Sequence, residues 1–247
     1  MMLKKLSNKL SNSGIDVSQL ILYFLAMIPC FLCYYFQDMG FTTRHGINVW
    51  EALFSGRILN YYSLNMAPFI YPDTMTCPAH YPFPIYMVFA VWDFPLYIYE
   101  HVTKTNFLDN VLCILYSKLI LFVFFIIAVK AFKRICEFFA FDKKKTNCCL
   151  FFWVTSSLFI EPFFVVAQYD IFSIAFTLWG IYYYLKNDNK KFILFFAIAV
   201  SFKYFGLFAF IPLLLYREKN ILKIIAYSFI AVIPTLFFKD MAGIRRL

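Results

Sequence analysis

The stretch VLCILYSKLILFVFFIIAVKAFKR, residues 111–134, decides the fold class. From Val111 to Val129 it is apolar apart from Ser117 and Lys118, close to the roughly 20 residues a helix needs to cross a bilayer. It then turns basic at Lys130, Lys133 and Arg134, the pattern of a membrane span with a cytoplasmic flank. The same grammar recurs on both sides. Val17 to Phe36, Cys148 to Ala167, Ile171 to Leu185, Phe192 to Tyr216 and Ile221 to Phe238 are further apolar runs. Over the whole chain 62% of residues are hydrophobic and only 15% charged, against roughly 25% charged in an ordinary soluble domain. With a mean hydropathy of +0.69, disorder is excluded and a water-soluble fold is strongly disfavoured. The expectation is an all-α polytopic membrane protein, a bundle of about 5–6 transmembrane helices. Short interfacial or re-entrant helices belong to its first outer loop.

A net charge of +9 does not point to nucleic acid, because the basic residues gather in short runs between apolar segments. Lys4, Lys5 and Lys9 lie in the tail, Lys130 to Lys145 in one connection, and Lys186, Lys190 and Lys191 in another. The long stretch 37–110 holds only Arg44, Arg57 and Lys104. The positive-inside rule then places the tail, residues 1–16, in the cytoplasm of a multi-pass cell-membrane protein, and 37–110 outside. Residues 111–247 form the bundle, and the chain 1–247 is one integral membrane domain. The first apolar run lacks a small-residue cleavage site and is expected to stay as a span. Pro82 to Tyr99, interrupted by Asp93 and Pro95, reads as re-entrant or interfacial. In Phe192 to Tyr216, a break lets Lys203 reach a wet cavity and returns Arg217 to the cytoplasm; a single tilted span puts Arg217 outside. The break is preferred. Cys30 and Cys33 form a C-x-x-C, but inside an apolar run they read as small hydrophobic residues.

Several polar residues stand out against this background. Asp38 follows the first span and has the chemistry of a general base, or of a solvated helix-end charge. Ile47, Trp50, Leu53 and Phe54 recur at helical spacing, so 47–56 reads as a short amphipathic helix in the interface, ended by Gly56. That helix either seals the bundle or offers Asn48, Glu51 and Ser55 to a substrate. His45 and His80 lie outside with Asp38 and Glu51, yet no ligand spacing supports a divalent metal, and no cofactor is expected. Glu161 and Gln168, seven apart, share a helix face if the helix continues, and Asp170 follows them. An acid and a cation within apolar segments normally face protein or water. Glu161 and Lys203 are therefore read as lining a cavity, or as an inter-helix pair with no ligand.

Four stretches in order carry a resemblance: Phe54-Ser55-Gly56 followed by Tyr61-Tyr62, then Tyr81-Pro82-Phe83-Pro84-Ile85-Tyr86, then Gln168-Tyr169-Asp170, then Phe202-Lys203-Tyr204 through Ile211-Pro212-Leu213. In this the chain resembles the GT-C superfamily of membrane glycosyltransferases, nearest its mannosyltransferase-like branch. The resemblance implies an enzyme that moves a sugar from a polyprenyl-phosphate donor to a glycan, lipid or protein acceptor at the extracytoplasmic face, among membrane lipids. It implies Asp38, Asp170 or Glu51 as the catalytic acid–base group. It implies His45, His80, Tyr81, Glu161, Gln168, Tyr169 and Lys203 as substrate contacts, with Lys203 near the phosphate. The paired acids of the family's first loop are absent, since Thr42 to Gly46 stand there. The family also carries more spans, so a C-terminally truncated or reduced homologue is expected. A transporter, a lipid-handling protein and a non-catalytic paralogue are the alternatives.

Overall fold

The structure, a computed structural model, describes residues 17–34, 37–63 and 81–241. Helices account for nearly all of them, and no strand occurs among the described residues. In chain order they are α1 (Val17–Cys33), α2 (Gln37–Phe54), α3 (Phe83–Trp92), α4 (Phe94–Thr103), α5 (Val111–Phe138), α6 (Lys143–Val154) and α7 (Ser157–Ile160). A π turn (Glu161–Val165) leads on to α8 (Asp170–Leu185), α9 (Asn189–Phe202), α10 (Gly206–Arg217) and α11 (Ile221–Met241).

Among the described residues α5 alone is long and apolar enough to cross a membrane unaided. Its 28 residues extend about 42 Å at 1.5 Å per residue. Two bent pairs bring the number to three if each counts as one span: α1 with α2, bent by 59°, and α6 with the Ser157–Val165 segment, bent by 62°. The straight span expected over Cys148 to Ala167 is therefore replaced by a broken one. Pro162 follows Glu161 there, and the turn ends at Ala167 with a positive φ of 57°. Glu161 and Gln168 consequently do not share one helix face.

Rings set the register of the central helices. Phe124 of α5 packs with its ring centre 4.1 Å from that of Phe172 of α8, and near their far ends the Lys186 ammonium lies over the Phe138 ring. The two helices thus run parallel, and the start of α8 is level with the turn of α5 that carries Lys118 and Phe122. Gly180 brings α8 and α9 together, since a Cβ there would sit 2.5 Å from the Phe196 ring; a small residue at a crossing lets helices approach closely.

The preferred reading of Phe192 to Tyr216 appears as a hairpin. Helix α9 ends at Lys203 in extended geometry (φ −157°) and α10 turns back. Phe192 and Phe196 pack on Phe210 at 5.2 and 5.3 Å. At the far end Arg217 donates to Asn189 Oδ1 (2.8 Å) and to the Tyr184 carbonyl. Arg217 therefore lies with the 186–191 turn. The bundle has a lysine-rich end, formed by Lys133 to Lys145, Lys186 to Lys191 and Arg217, and a lysine-poor end where α2, α8 and the tip of the α9–α10 hairpin meet.

The largest correction concerns the segment expected to be an interfacial helix over 47–56. It begins at Gln37, and Thr42, Thr43, Arg44, His45, Ile47, Asn48 and Val49 are all buried. Its C-terminus is as expected. Gly56 takes φ +69°, and the Gly56 and Arg57 amides close on Leu53 and Ala52, the left-handed cap glycine serves best. Gly46 lets α2 lie against α3, where a Cβ would come within 2.6 Å of Phe89 Cβ.

Candidate site at the lysine-poor end

Asp38 stands in the first turn of α2. Tyr81, just before α3, donates its hydroxyl to Asp38 Oδ2 at 2.8 Å, and Tyr169 donates to the same oxygen at 3.1 Å. Thr42, one turn along α2, donates to the Tyr169 hydroxyl at 3.4 Å. The Tyr81 and Tyr169 rings meet edge to face, 5.0 Å apart. Tyr169 is placed by the end of the π turn: Ala167 reverses the chain, the Gln168 amide closes on the Pro162 carbonyl, and Tyr169 caps α8 with its ring buried.

Asp170 opens α8, and its Oδ1 receives the Lys203 ammonium from the hairpin tip. Both side chains are partly open, 25% exposed for Asp170 and 38% for Lys203. The two carboxylates lie at the same end of the bundle, because the consecutive residues Tyr169 and Asp170 reach one to Asp38 and the other to Lys203. Burial, first, and then the Asp38 and Asp170 charges push the Tyr81 phenol above its ordinary value, with the Tyr169 hydrogen bond opposing. Burial does the same more strongly to Tyr169. Both phenols are therefore neutral donors at physiological pH, and both donate to the same Asp38 oxygen. Tyr62 borders the cluster, donating to the Tyr81 carbonyl at 2.8 Å.

The structure thus brings Asp38, Tyr81, Tyr169, Asp170 and Lys203 to one end of the bundle, with Gln168 half-buried beside them. It separates the others. Glu51 faces His101 at 3.2 Å on the far part of α2. His45 packs against the Tyr61 and Tyr86 rings, 6.4 and 5.3 Å away, and its carbonyl accepts from Tyr61. Glu161 is exposed on the π turn and does not pair with Lys203, whose partner is Asp170. His80 lies outside the described residues. No group of three or more His, Cys, Asp or Glu that could hold a metal is found among the described residues.

Two buried networks escaped sequence reading. Arg44 grips Glu100 through both guanidinium nitrogens, with Asn106 accepting as well and the Phe107 amide donating to Glu100. On α5, Ser117 is 2.8 Å from both Thr43 and Asp93, and the Lys118 ammonium donates to the Phe31 and Tyr34 carbonyls. The signal for Lys118 was available. An ionisable residue within an apolar run needs a partner, though the sequence does not say which.

No family model, curated protein or solved structure matches the chain. What the arrangement can do rests on its chemistry. One carboxylate is held by two phenols that share a single oxygen. Beside it is a second carboxylate paired with an ammonium of three donors. Such a site can take a proton from a hydroxyl and hold an anion a short distance away.

Proposed function

We propose that the chain is a multi-pass membrane glycosyltransferase acting at the extracytoplasmic face on a polyprenyl-phosphate-linked sugar. In this reading α1, α5, the bent pair of α6 with the Ser157–Val165 segment, and the helices α8 to α11 together supply about 5–6 crossings. The lysine-rich end lies in the cytoplasm. The observation that carries the proposal is the meeting of Asp38, Tyr81, Tyr169, Asp170 and Lys203, from four separate chain segments, at the opposite end.

The chemistry is that of an acid–base displacement. Asp38 takes the proton of an acceptor hydroxyl as its oxygen bonds to the sugar's anomeric carbon. The bond from that carbon to the lipid phosphate breaks, and the phosphate leaves with the electron pair. Lys203 stabilises the charge gathering on the phosphate, an interaction worth most where water is excluded. Asp170 holds Lys203 until the phosphate arrives. Tyr81 and Tyr169 keep Asp38 oriented and offer phenolic contacts to sugar hydroxyls.

The test is transfer of labelled sugar from a polyprenyl-phosphate donor by the protein in lipid nanodiscs, with glycan, lipid and peptide acceptors. Asp38→Asn and Lys203→Met are expected to abolish transfer while protein levels persist; full activity in both removes the site. A second reading has its own support in the Asp170–Lys203 contact, which leaves one oxygen of that carboxylate occupied. It is a non-catalytic or lipid-handling protein, and it expects no transfer with any acceptor.

A further inference from the structure

We infer that Lys118, with its neighbour Ser117, is a positioning residue for Asp38: it clamps the break between α1 and α2 from the side of α5. The inference rests on the reading of Asp38 as the reacting carboxylate. Lys118 lies seven residues into α5, about 10 Å along the helix, and is 1% exposed. A lysine at that depth ordinarily extends its ammonium toward water. Lys118 does not. Its ammonium lies 4.2 Å from the centre of the Phe31 ring and donates to the carbonyls of Phe31 and, at 2.6 Å, Tyr34.

Those carbonyls belong to the end of α1, where a helix leaves its last oxygens without intrahelical partners and its dipole is negative. A cation supplied by another helix satisfies both demands. Asp38 stands four residues beyond Tyr34, in the first turn of the next helix. Ser117 acts one turn further along α2, 2.8 Å from the Thr43 hydroxyl, while it also donates to the buried Asp93 carboxylate. Thr43 adjoins Thr42, which holds the Tyr169 hydroxyl, itself a donor to Asp38. Two consecutive residues of the longest helix thus fix both sides of the turn carrying Asp38, and neither touches the open part of the site. Lys118 can therefore set where the carboxylate points without binding substrate.

The experiment compares wild type, Lys118→Met, Lys118→Arg and Ser117→Ala, each full length in nanodiscs, by hydrogen exchange and by transfer kinetics. In Lys118→Met, amides of 37–45 are expected to exchange about tenfold faster or more, because two carbonyls lose charge-assisted partners. Amides of 171–202 should stay within about twofold of wild type, since the Lys118 side chain bonds to the end of α1 and to none of them. Lys118→Arg is expected to restore most of the protection. Should Lys118→Met fail to accumulate, Ser117→Ala decides, with a few-fold rise expected over the same segment. Unchanged exchange at 37–45, or an equal rise in both segments, overturns the clamp. In transfer assays Lys118→Met is expected to lower kcat about 100-fold, as misplacing a reacting group does. KM for the donor should hold within about twofold, because Lys203 is untouched. A wild type that transfers no sugar refutes the proposed function, and the exchange data then decide the clamp alone.

Discussion

Two ion pairs stand at the lysine-poor end, and they are built in opposite ways. Arg44 and Glu100 are 2% and 3% exposed, joined through two nitrogens and two oxygens, with Asn106 and the Phe107 amide on the remaining sites and the Phe107 ring 4.6 Å from the guanidinium. Lys203 and Asp170 meet at a single oxygen and stay partly open. Burying two charges is recovered only when geometry and further hydrogen bonds are complete, and the Arg44 pair meets that condition. The Lys203 pair has donors to spare and lies at the end of the bundle where Asp38 is held by phenols. The lesson is that a closed pair ties α2 to α4 and serves the fold, whereas an open one is suited to exchange its partner for a ligand.

Breaking the closed pair should cost most. Arg44→Met strands the Glu100 carboxylate in the interior, and removing one member of such a pair costs about 3–5 kcal/mol. The variant is expected to lose its cooperative melting transition, or to unfold at much lower denaturant, in the same lipid. Equal stability of Arg44→Met and wild type would break the comparison. The next largest effect tests how α2 is seated. Gly46→Ala places a methyl 2.6 Å from Phe89 Cβ and 3.1 Å from the Ala90 amide nitrogen. Overpacking of this kind costs about 1–3 kcal/mol, and a melting temperature unchanged from wild type would show that α2 and α3 can separate freely.

How much of this the sequence discloses depends on the range of the interactions. The apolar run at Val111, the basic flank after it, the break at Lys203 and the cap at Gly56 are local signals, and each is found where sequence reading places it. The early start of α2 is not local. Gly40, Thr42, Thr43 and Gly46 are poor helix formers, and what overrides propensity is packing against α3 and the tie from Arg44 to Glu100, 56 residues away. Similarly, Asp38 was legible as an acid beside a span, but its two phenols lie 43 and 131 residues distant. Glu161 stands apart from Gln168 for a local reason: the heptad spacing puts them on one face only if the helix continues, and Pro162 with Ala167 stops it.

Breaking the open pair should cost little stability. Lys203→Met removes a single contact from a half-exposed pair, and such pairs contribute about 0–1 kcal/mol, less at high salt. Its melting temperature is expected within a few degrees of wild type while any function of the site is lost. A collapse comparable to that of Arg44→Met would make the two pairs alike, and both structural.

The smallest effect sharpens the same contrast through pH. Tyr81 and Tyr169 have phenols raised above the ordinary value of 10.0, by burial first and by the Asp38 charge in addition. The folded state therefore keeps protons that the unfolded chain releases. Their stabilising contribution is complete below pH 10 and declines as pH rises toward the folded values, because the unfolded chain then binds fewer protons. Tyr99 is lowered instead, by its hydrogen bonds with Thr105 and Asn110. Phenolate absorbance during an alkaline titration should accordingly show Tyr99 ionising early and Tyr81 and Tyr169 later than it. Tyr81→Phe and Tyr169→Phe should each remove amplitude from the late phase only. If either removes early amplitude, the phenol concerned is open to water, and Asp38 loses the enclosure that distinguishes its side of the site from the Lys203 side.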